Sequence, residues 1–303
     1  MKIVTTGLSG FIGQTLVPRL LSEGHAVVAL TRDGERKRSR LDERVTVVQW
    51  DGRTLGSWSE QVEGADAVLN FAGESIGAKR WTKLQKERIV ASRVDATGAI
   101  VEAISRAQTK PSVLINASGA DYYGSVEQGD VVEEYPRGDT FLSETVDRWE
   151  NAAKGAQKFD VRVVLLRSGV VLGANGGALD RMLTPFRMFV GGPLGSGRQW
   201  FPWVHVEDLV GAVLFALANE SIEGPVNVAA PQSVTMSEFC YSIGRALHRP
   251  SWVPVPGFVL KIVLGEMSQV VLTGRRLVPK ALERHGFTFN YPRLDAALAD
   301  ILR

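Results

Sequence analysis

Three glycines, Gly7, Gly10 and Gly13, recur at three-residue intervals in Thr6-Gly7-Leu8-Ser9-Gly10-Phe11-Ile12-Gly13. They separate the short apolar run Lys2-Ile3-Val4-Thr5 from a segment in which Ile12, Leu16, Leu20 and Leu21 share one helical face. At such a strand-to-helix junction the first glycine permits a tight turn, the second lets backbone approach a pyrophosphate, and the third lets the helix pack on the sheet. The helix N-terminus, with Phe11 and Ile12 in its first turn, offers free N–H groups and a positive dipole end to phosphates. The implied chemistry is the binding of a pyridine dinucleotide.

The second strand bears on which dinucleotide. NAD-binding folds place an Asp or Glu ~20 residues after the glycine turn, on the ribose 2′-hydroxyl. Here the strand ends Ala29-Leu30-Thr31-Arg32. The Arg32 guanidinium suits a 2′-phosphate by charge and bidentate geometry, and Thr31 adds a neutral hydroxyl donor. NADP(H) is therefore expected over NAD(H). Asp33 keeps NAD(H) open, because a strand one residue longer would bring its carboxylate to the ribose.

The elements that must position these groups alternate. Ala26-Val27-Val28-Ala29-Leu30, Val45-Thr46-Val47-Val48, Ala67-Val68-Leu69-Asn70-Phe71, Val113-Leu114-Ile115-Asn116 and Val161 to Leu166 read as buried strands of a parallel sheet. Helices are expected over 82–106, with Leu84, Ile89, Ala96, Ile100 and Ile104 inward, over 143–157, and over about 206–219. Gly24 suits the left-handed position that ends the first helix. The pattern implies an α/β, Rossmann-like, doubly wound parallel sheet with a small C-terminal α/β cap lobe. Residues 1–172 plus 205–230 would form the dinucleotide-binding domain, and residues 173–204 plus 231–303 the cap.

Composition narrows the function classes. The 303 residues are 45% hydrophobic, and 35 Lys and Arg against 33 Asp and Glu leave a formal net charge of +2. That balance argues against a nucleic-acid partner, and the basic run Arg36-Lys37-Arg38-Ser39-Arg40 reads as a solvated loop. The single cysteine, Cys240, excludes an intrachain disulfide and suits a reducing compartment. No stretch approaches the ~18 apolar residues of a membrane span, so a soluble, cytoplasmic chain without a membrane partner is expected. His25, His205, His248 and His285 lack partners at metal-ligand spacing, and no metal site is expected.

Further motifs carry a family resemblance. The N-terminal glycine turn and Asn70-Phe71-Ala72-Gly73-Glu74 resemble the short-chain dehydrogenase/reductase superfamily in its extended and atypical branches. Arg80-Trp81, Gln85-Lys86-Glu87-Arg88, Ser92-Arg93, Tyr122-Tyr123-Gly124 and Arg167-Ser168-Gly169-Val170-Val171-Leu172 are more specific. So are Gly191 to Gln199, Trp203-Val204-His205, and the closing stretch from Ala246-Leu247-His248-Arg249-Pro250 to Gly286-Phe287. Together these resemble the epimerase-like family that includes the bacterial YfcH proteins and human SDR39U1. The resemblance implies cofactor contacts from the glycine turn, Thr31, Arg32, Phe71, Ala72, Gly73 and Arg93, with Asp51 near the adenine and Val171 near the nicotinamide.

The catalytic signature of that superfamily is missing. Tyr-x-x-x-Lys puts a phenol and an ammonium on one helical face, where the lysine lowers the tyrosine pKa. The residues four after Tyr122, Tyr123, Tyr135, Tyr241 and Tyr291 are Val126, Glu127, Asp139, Arg245 and Asp295. Tyr123 and Ser118 are the remaining catalytic candidates. Glu74 and Arg80, after the fourth strand, and Arg198, Gln199 and Trp200, on the glycine-rich insert, are candidates for substrate contact. His205 with Asp208 reads as a helix N-cap. Two functions fit: an NADP(H)-dependent oxidoreductase or epimerase-like enzyme on an unidentified small molecule, or a non-catalytic NADP(H)-sensing or partner-binding protein.

Overall fold

The computed structural model describes residues 1–34, 38, 41–174 and 176–303. Of the basic run 36–40, only Arg38, which is exposed, lies among them. Seven parallel strands form the central sheet: β1 (Lys2–Thr6), β2 (Ala26–Thr31), β3 (Thr46–Gln49), β4 (Ala67–Asn70), β5 (Val113–Gly119), β7 (Arg162–Ser168) and β11 (Gly224–Val228). Two-residue β6 (Asp130–Val131) lies outside it. The strand order is β11-β7-β5-β4-β1-β2-β3. The order runs outward in opposite directions from the β1/β4 pair. A ligand crevice belongs outside the carboxyl ends of strands at such a reversal.

Neighbouring residues on each strand serve opposite faces, as a period of two requires. Ile3, Leu69, Ile115 and Val164 pack on one side with Leu16, Val17 and Leu20 of α1 (Phe11–Ser22). Val4, Val68, Leu114 and Val163 pack on the other with Ala96, Ile100 and Ile104 of α2 (Lys83–Arg106) and with Trp50 and Trp58. Each fully buried Leu, Ile or Val stabilises the fold by roughly 1.5–3 kcal/mol. A strand that feeds two cores must be apolar throughout, which is the pattern its sequence shows. α1 ends as expected, with Gly24 at φ 77.

One inward position differs from expectation. Leu84 is 57% exposed, whereas Gln85 beside it is buried and donates to Glu74 at 2.8 Å. The first turn of α2 overhangs the core, and a satisfied amide is buried there in place of leucine.

A separate apolar cluster builds the cap around Phe239, Trp203 and Phe186. It draws on α4 (Leu179–Arg187), α6 (Met236–Leu247) and α10 (Leu294–Ile301), which are separated in the chain by α5 (Val206–Ala218) and by shorter elements. Short strands pair within it: β8 (Val170–Leu172) with β10 (Trp203–His205), and β9 (Trp200–Phe201) with β12 (Val234–Thr235). Cys240 lies inside this cluster, and burial pushes its thiol up to about 12. Leu282 and Phe289, late in the chain, pack instead on the α1 side of the sheet. His205 caps α5: its Nδ1 accepts the Glu207 N–H at 3.2 Å. Asp208 is buried and accepts the N–H groups of Asn290 and Tyr291, at 2.7 and 2.9 Å, tying the chain's last segment to that helix.

Candidate functional site

The glycine turn sits at the strand-order reversal. Gly7 has φ 76, and a Cβ there would lie 2.5 Å from the Phe71 carbonyl oxygen, so the turn after β1 closes against the loop after β4. Gly10 N–H donates to Gly7 O at 2.9 Å. A Cβ on Gly13 would lie 1.8 Å from Leu8 O. No side chain caps α1, and its first turn has no acidic residue. The groups that a helix start leaves unpaired are thus open to an anion.

The phosphate turn is also held from the cap side. The side chain of Phe11 is enclosed by three glycines that follow β8: added Cβ atoms at Gly173, Gly176 and Gly177 would lie 2.9, 2.8 and 3.1 Å from its ring. Sequence reasoning placed these glycines in a glycine-rich insert and missed this contact. The signal was three glycines within the five positions 173–177, opposite an aromatic in the turn.

Beneath the turn lies a buried polar network. Thr6 Oγ1 donates to Asn70 Oδ1 at 2.7 Å and accepts the N–H groups of Phe71 and Ala72, at 3.1 and 3.0 Å. Asn70 Nδ2 donates to Asn116 Oδ1 at 2.6 Å and to Thr97 Oγ1 at 2.8 Å. The network fixes the backbone of Phe71 and Ala72 at the crevice wall.

Arg32 follows β2 and is exposed, its stem against Gly52, and no described residue pairs with its guanidinium. Thr31 beside it is half-buried. Asp51 follows β3 and accepts the N–H groups of Arg53 and Thr54, at 2.8 and 2.9 Å. These bonds, led by that from the Thr54 hydroxyl, hold its carboxyl below the usual range. Arg93, on α2, lies against Gly73 and donates to Glu74 O at 3.0 Å. Desolvation brings its pKa down to about 10, while the charges of Asp121 and Glu74 oppose that fall, so it stays a cation at neutral pH. Val171 packs on the sheet core from β8.

The two catalytic candidates lie together in a buried ion-pair network. Ser118 Oγ donates to Glu150 Oε1 at 2.6 Å. Arg167 donates to both oxygens of Glu150, at 2.8 and 2.7 Å, and its Nη1 donates to Tyr123 Oη at 3.0 Å. Tyr123 Oη in turn donates to Asn227 Oδ1 at 2.7 Å. Burial pushes the Tyr123 phenol up to about 12, with Arg167 pulling the other way. At Arg167 desolvation disfavours the charge, and the bonds to Glu150 outweigh it, so its pKa is raised. With Tyr123 only 2% exposed and both lone-pair and proton engaged, the phenol is spent on structure.

The helix that would hold a tyrosine–lysine pair is α3 (Phe141–Lys154). Among its buried positions Leu142 and Val146 lie one turn apart, and Val146 is the one that faces Gly119 where β5 ends. Asp121 follows that strand end by two residues, with a side chain 29% exposed and an ion pair to Arg275 Nη1 at 3.2 Å.

The substrate candidates separate into two groups. Glu74 accepts from Gln85, and Arg80 donates to Ile262 O at 3.3 Å, so the loop after β4 leans on the helix α7 (Gly257–Leu264). Lys86 pairs with Glu266 on the same side. Gln199 Nε2 is committed to the carbonyls of Leu194 and Val271, both at 2.8 Å. Arg198 is exposed, and Trp200 stacks under Arg276 with 5.6 Å to the ring centre. Among the described residues no cluster of metal-ligating side chains occurs, and no helix is long and apolar enough to cross a membrane.

Comparison with known proteins agrees with this geometry. Residues 3–229 match the NAD dependent epimerase/dehydratase family, and residues 255–301 match a domain of unknown function, DUF1731. The "Epimerase family protein SDR39U1 homolog, chloroplastic" of Arabidopsis thaliana is 42% identical, over 100% of this chain and 87% of that protein. The epimerase family protein YfhF of Bacillus subtilis is 39% identical, over 100% of this chain and 98% of its own. The crystal structure of human SDR39U1 (isoform 2) with NADPH superposes with a TM-score of 0.89 at 34% identity, covering 99% of each chain. On the sheet, the glycine turn and these matches over most of its length, the chain belongs to the NAD dependent epimerase/dehydratase family.

Proposed function

We propose that the chain binds NADP(H) across the carboxyl ends of β1 and β4 and exchanges hydride with an unidentified small molecule between the sheet and the cap. The observation that carries this reading is Arg32, an exposed residue just after β2 whose guanidinium pairs with no described residue, together with an uncapped α1 whose turn leaves no room for a Cβ at Gly7 or Gly13. The human relative solved with NADPH supports it. The glycine turn would hold the pyrophosphate, Arg32 and Thr31 the 2′-phosphate, and Phe71, Ala72, Gly73, Arg93 and Val171 the rest of the dinucleotide. Bound nicotinamide supplies the hydride chemistry.

Arg32→Ala tests the cofactor. A charged hydrogen bond to phosphate is worth roughly 1.5–3 kcal/mol. NADPH affinity should therefore fall about tenfold to a hundredfold by calorimetry, with NADH affinity nearly unchanged. Unchanged NADPH binding would remove the assignment.

Asp121 is our candidate for the proton-handling group, in place of Tyr123 and Ser118. It stands at the end of β5, retains solvent access, and is flanked by the cations Arg93 and Arg275. A carboxylate so placed accepts a hydrogen bond from a substrate hydroxyl and takes its proton as hydride leaves. Asp121→Asn keeps the shape and removes the base. NADP(H) turnover, measured across carbonyl compounds and nucleotide sugars, should drop about a hundredfold while cofactor affinity stays within a factor of three of wild type, a margin of roughly 0.7 kcal/mol.

Leu142 and Val146 favour one second reading, a protein that senses NADP(H) without turning it over. It expects NADPH to change conformation or partner affinity with no hydride lost to any compound in that panel.

A further inference from the structure

The cap carries an apolar surface that the cofactor crevice does not use. α7 reads Gly257-Phe258-Val259-Leu260-Lys261-Ile262-Val263-Leu264, and none of its residues is buried. Phe258 is 67% exposed and Ile262 70%. A helix whose only charged residue is one lysine among seven apolar or glycine positions is normally packed on an interior. Just before it, Trp252 is 71% exposed, with Val253 beside it. This stretch is tied to the turn after α4: Trp252 Nε1 donates to Phe189 O at 3.1 Å, and Gly191 O accepts the N–H groups of Trp252 and Val253. That turn exposes Met188, Phe189 and Val190. Phe189 has φ 65, a left-handed conformation that a bulky residue adopts only at a cost. The backbone thus accepts strain to hold an aromatic ring outward.

Charge is distributed unevenly along the two sequence stretches that carry these side chains. Between Asp180 and Glu207 the chain holds Arg181, Arg187 and Arg198 and no Asp or Glu. Between Glu238 and Glu266 it holds Arg245, Arg249 and Lys261, again with no Asp or Glu. Two stretches that together hold six cations and no acidic residue within them stand out in a chain whose net charge is only +2. Arg249 lies over the Phe189 ring, 4.4 Å from its centre, and Lys261 is on α7 itself.

We propose that this lobe docks on an anionic lipid surface. Phe189, Trp252, Phe258 and Ile262 would enter the boundary between headgroups and acyl chains, and Arg187, Arg249 and Lys261 would meet the headgroups. Exposed aromatic and aliphatic side chains with basic neighbours are the composition of an interfacial anchor. A second copy fits less well, because a two-fold contact sets the same patch against itself and so opposes like charges. The absence of a spanning segment does not bear on peripheral contact. The eight residues of α7 suit contact along the surface and not a crossing.

The test uses the full chain and sedimentable vesicles of phosphatidylcholine with or without phosphatidylglycerol. The chain should sediment with the anionic vesicles and scarcely with the neutral ones. Each cation removed should weaken binding about fivefold, so the triple variant R187Q/R249Q/K261Q should lose roughly a hundredfold. W252S/F258S should lose at least about tenfold, from apolar area withdrawn from the interface. Unchanged thermal unfolding of each variant shows that it is folded. A blue shift of the emission that W252F lacks reports insertion of Trp252. Failure of the wild-type chain to sediment with phosphatidylglycerol vesicles overturns the proposal, as does wild-type binding by both variants. A dimer seen by light scattering and lost in W252S/F258S, without vesicle binding, overturns it in favour of a second copy. None of these readouts depends on NADP(H).

Discussion

Gly13→Ala should abolish dinucleotide binding and lower thermal stability in one step. The added Cβ would lie 1.8 Å from Leu8 O and 2.6 Å from Leu8 Cα, both in backbone that cannot rotate away. Either α1 moves off the sheet or the turn opens. Moving α1 strips Leu16, Val17 and Leu20 from the core they share with Ile3 and Leu69. Opening the turn breaks the cradle beside Phe71. Overpacking a tight site costs roughly 1–3 kcal/mol, and a backbone collision lies at the upper end or beyond. NADPH affinity should drop at least about a hundredfold, or roughly 2.7 kcal/mol, with a matching fall in the unfolding midpoint. Gly10→Ala separates the two effects. Its Cβ would meet only Gly7 O within the protein, at 3.1 Å, so the loss of thermal stability should be far smaller, while NADPH affinity still falls because this glycine lets backbone approach the pyrophosphate. Equal losses of thermal stability in the two variants would refute this account of the turn.

Breaking the pair Arg167–Glu150 should be the most damaging single change away from the cofactor. Both side chains are nearly inaccessible, with exposures of 4% and 0%. Arg167→Met leaves the Glu150 carboxylate buried with only the Ser118 hydroxyl, and removes a donor from Tyr123. It also removes the guanidinium that lies 3.5 Å over the Tyr122 ring. Loss of one partner of a buried pair costs roughly 3–5 kcal/mol, whereas replacing both by apolar residues is often close to neutral. The double variant Arg167→Met/Glu150→Met should therefore unfold at a higher temperature than Arg167→Met. Additive losses in chemical denaturation would show that the two groups act independently and would refute the network.

The distinction between legible and illegible features follows from what each depends on. The glycine turn was readable because backbone leaves no room for a side chain at Gly13, against nearby Leu8, or at Gly7, against the loop at Phe71, and both constraints surface as glycines at fixed spacing. The sheet was readable because strands that serve two cores are apolar without interruption, as at Val113 to Ile115. Leu84 was misjudged because periodicity counts apolarity and does not see where the core ends, nor that Gln85 finds a partner in Glu74. Ser118 and Tyr123 drew attention by residue type alone. Their commitment to Glu150, Arg167 and Asn227 joins residues up to 104 positions apart and exists only in the folded chain. Asp121 was overlooked for the same reason, since Arg275 reaches it across 154 residues.

The enclosure of Phe11 also constrains how relatives of this chain can diverge. Gly176 and Gly177 have φ of 156 and 76 and need glycine for their backbone alone. Gly173 has no such requirement. It lacks a side chain because Phe11 and Val206 occupy the space, at 2.9 and 2.8 Å from where its Cβ would be. A lineage that trims both neighbours frees position 173 to accept alanine or serine, while 176 and 177 stay fixed. Substitutions at 11, 173 and 206 should therefore covary, so that a drift of the phosphate turn is written into the start of the cap and into α5.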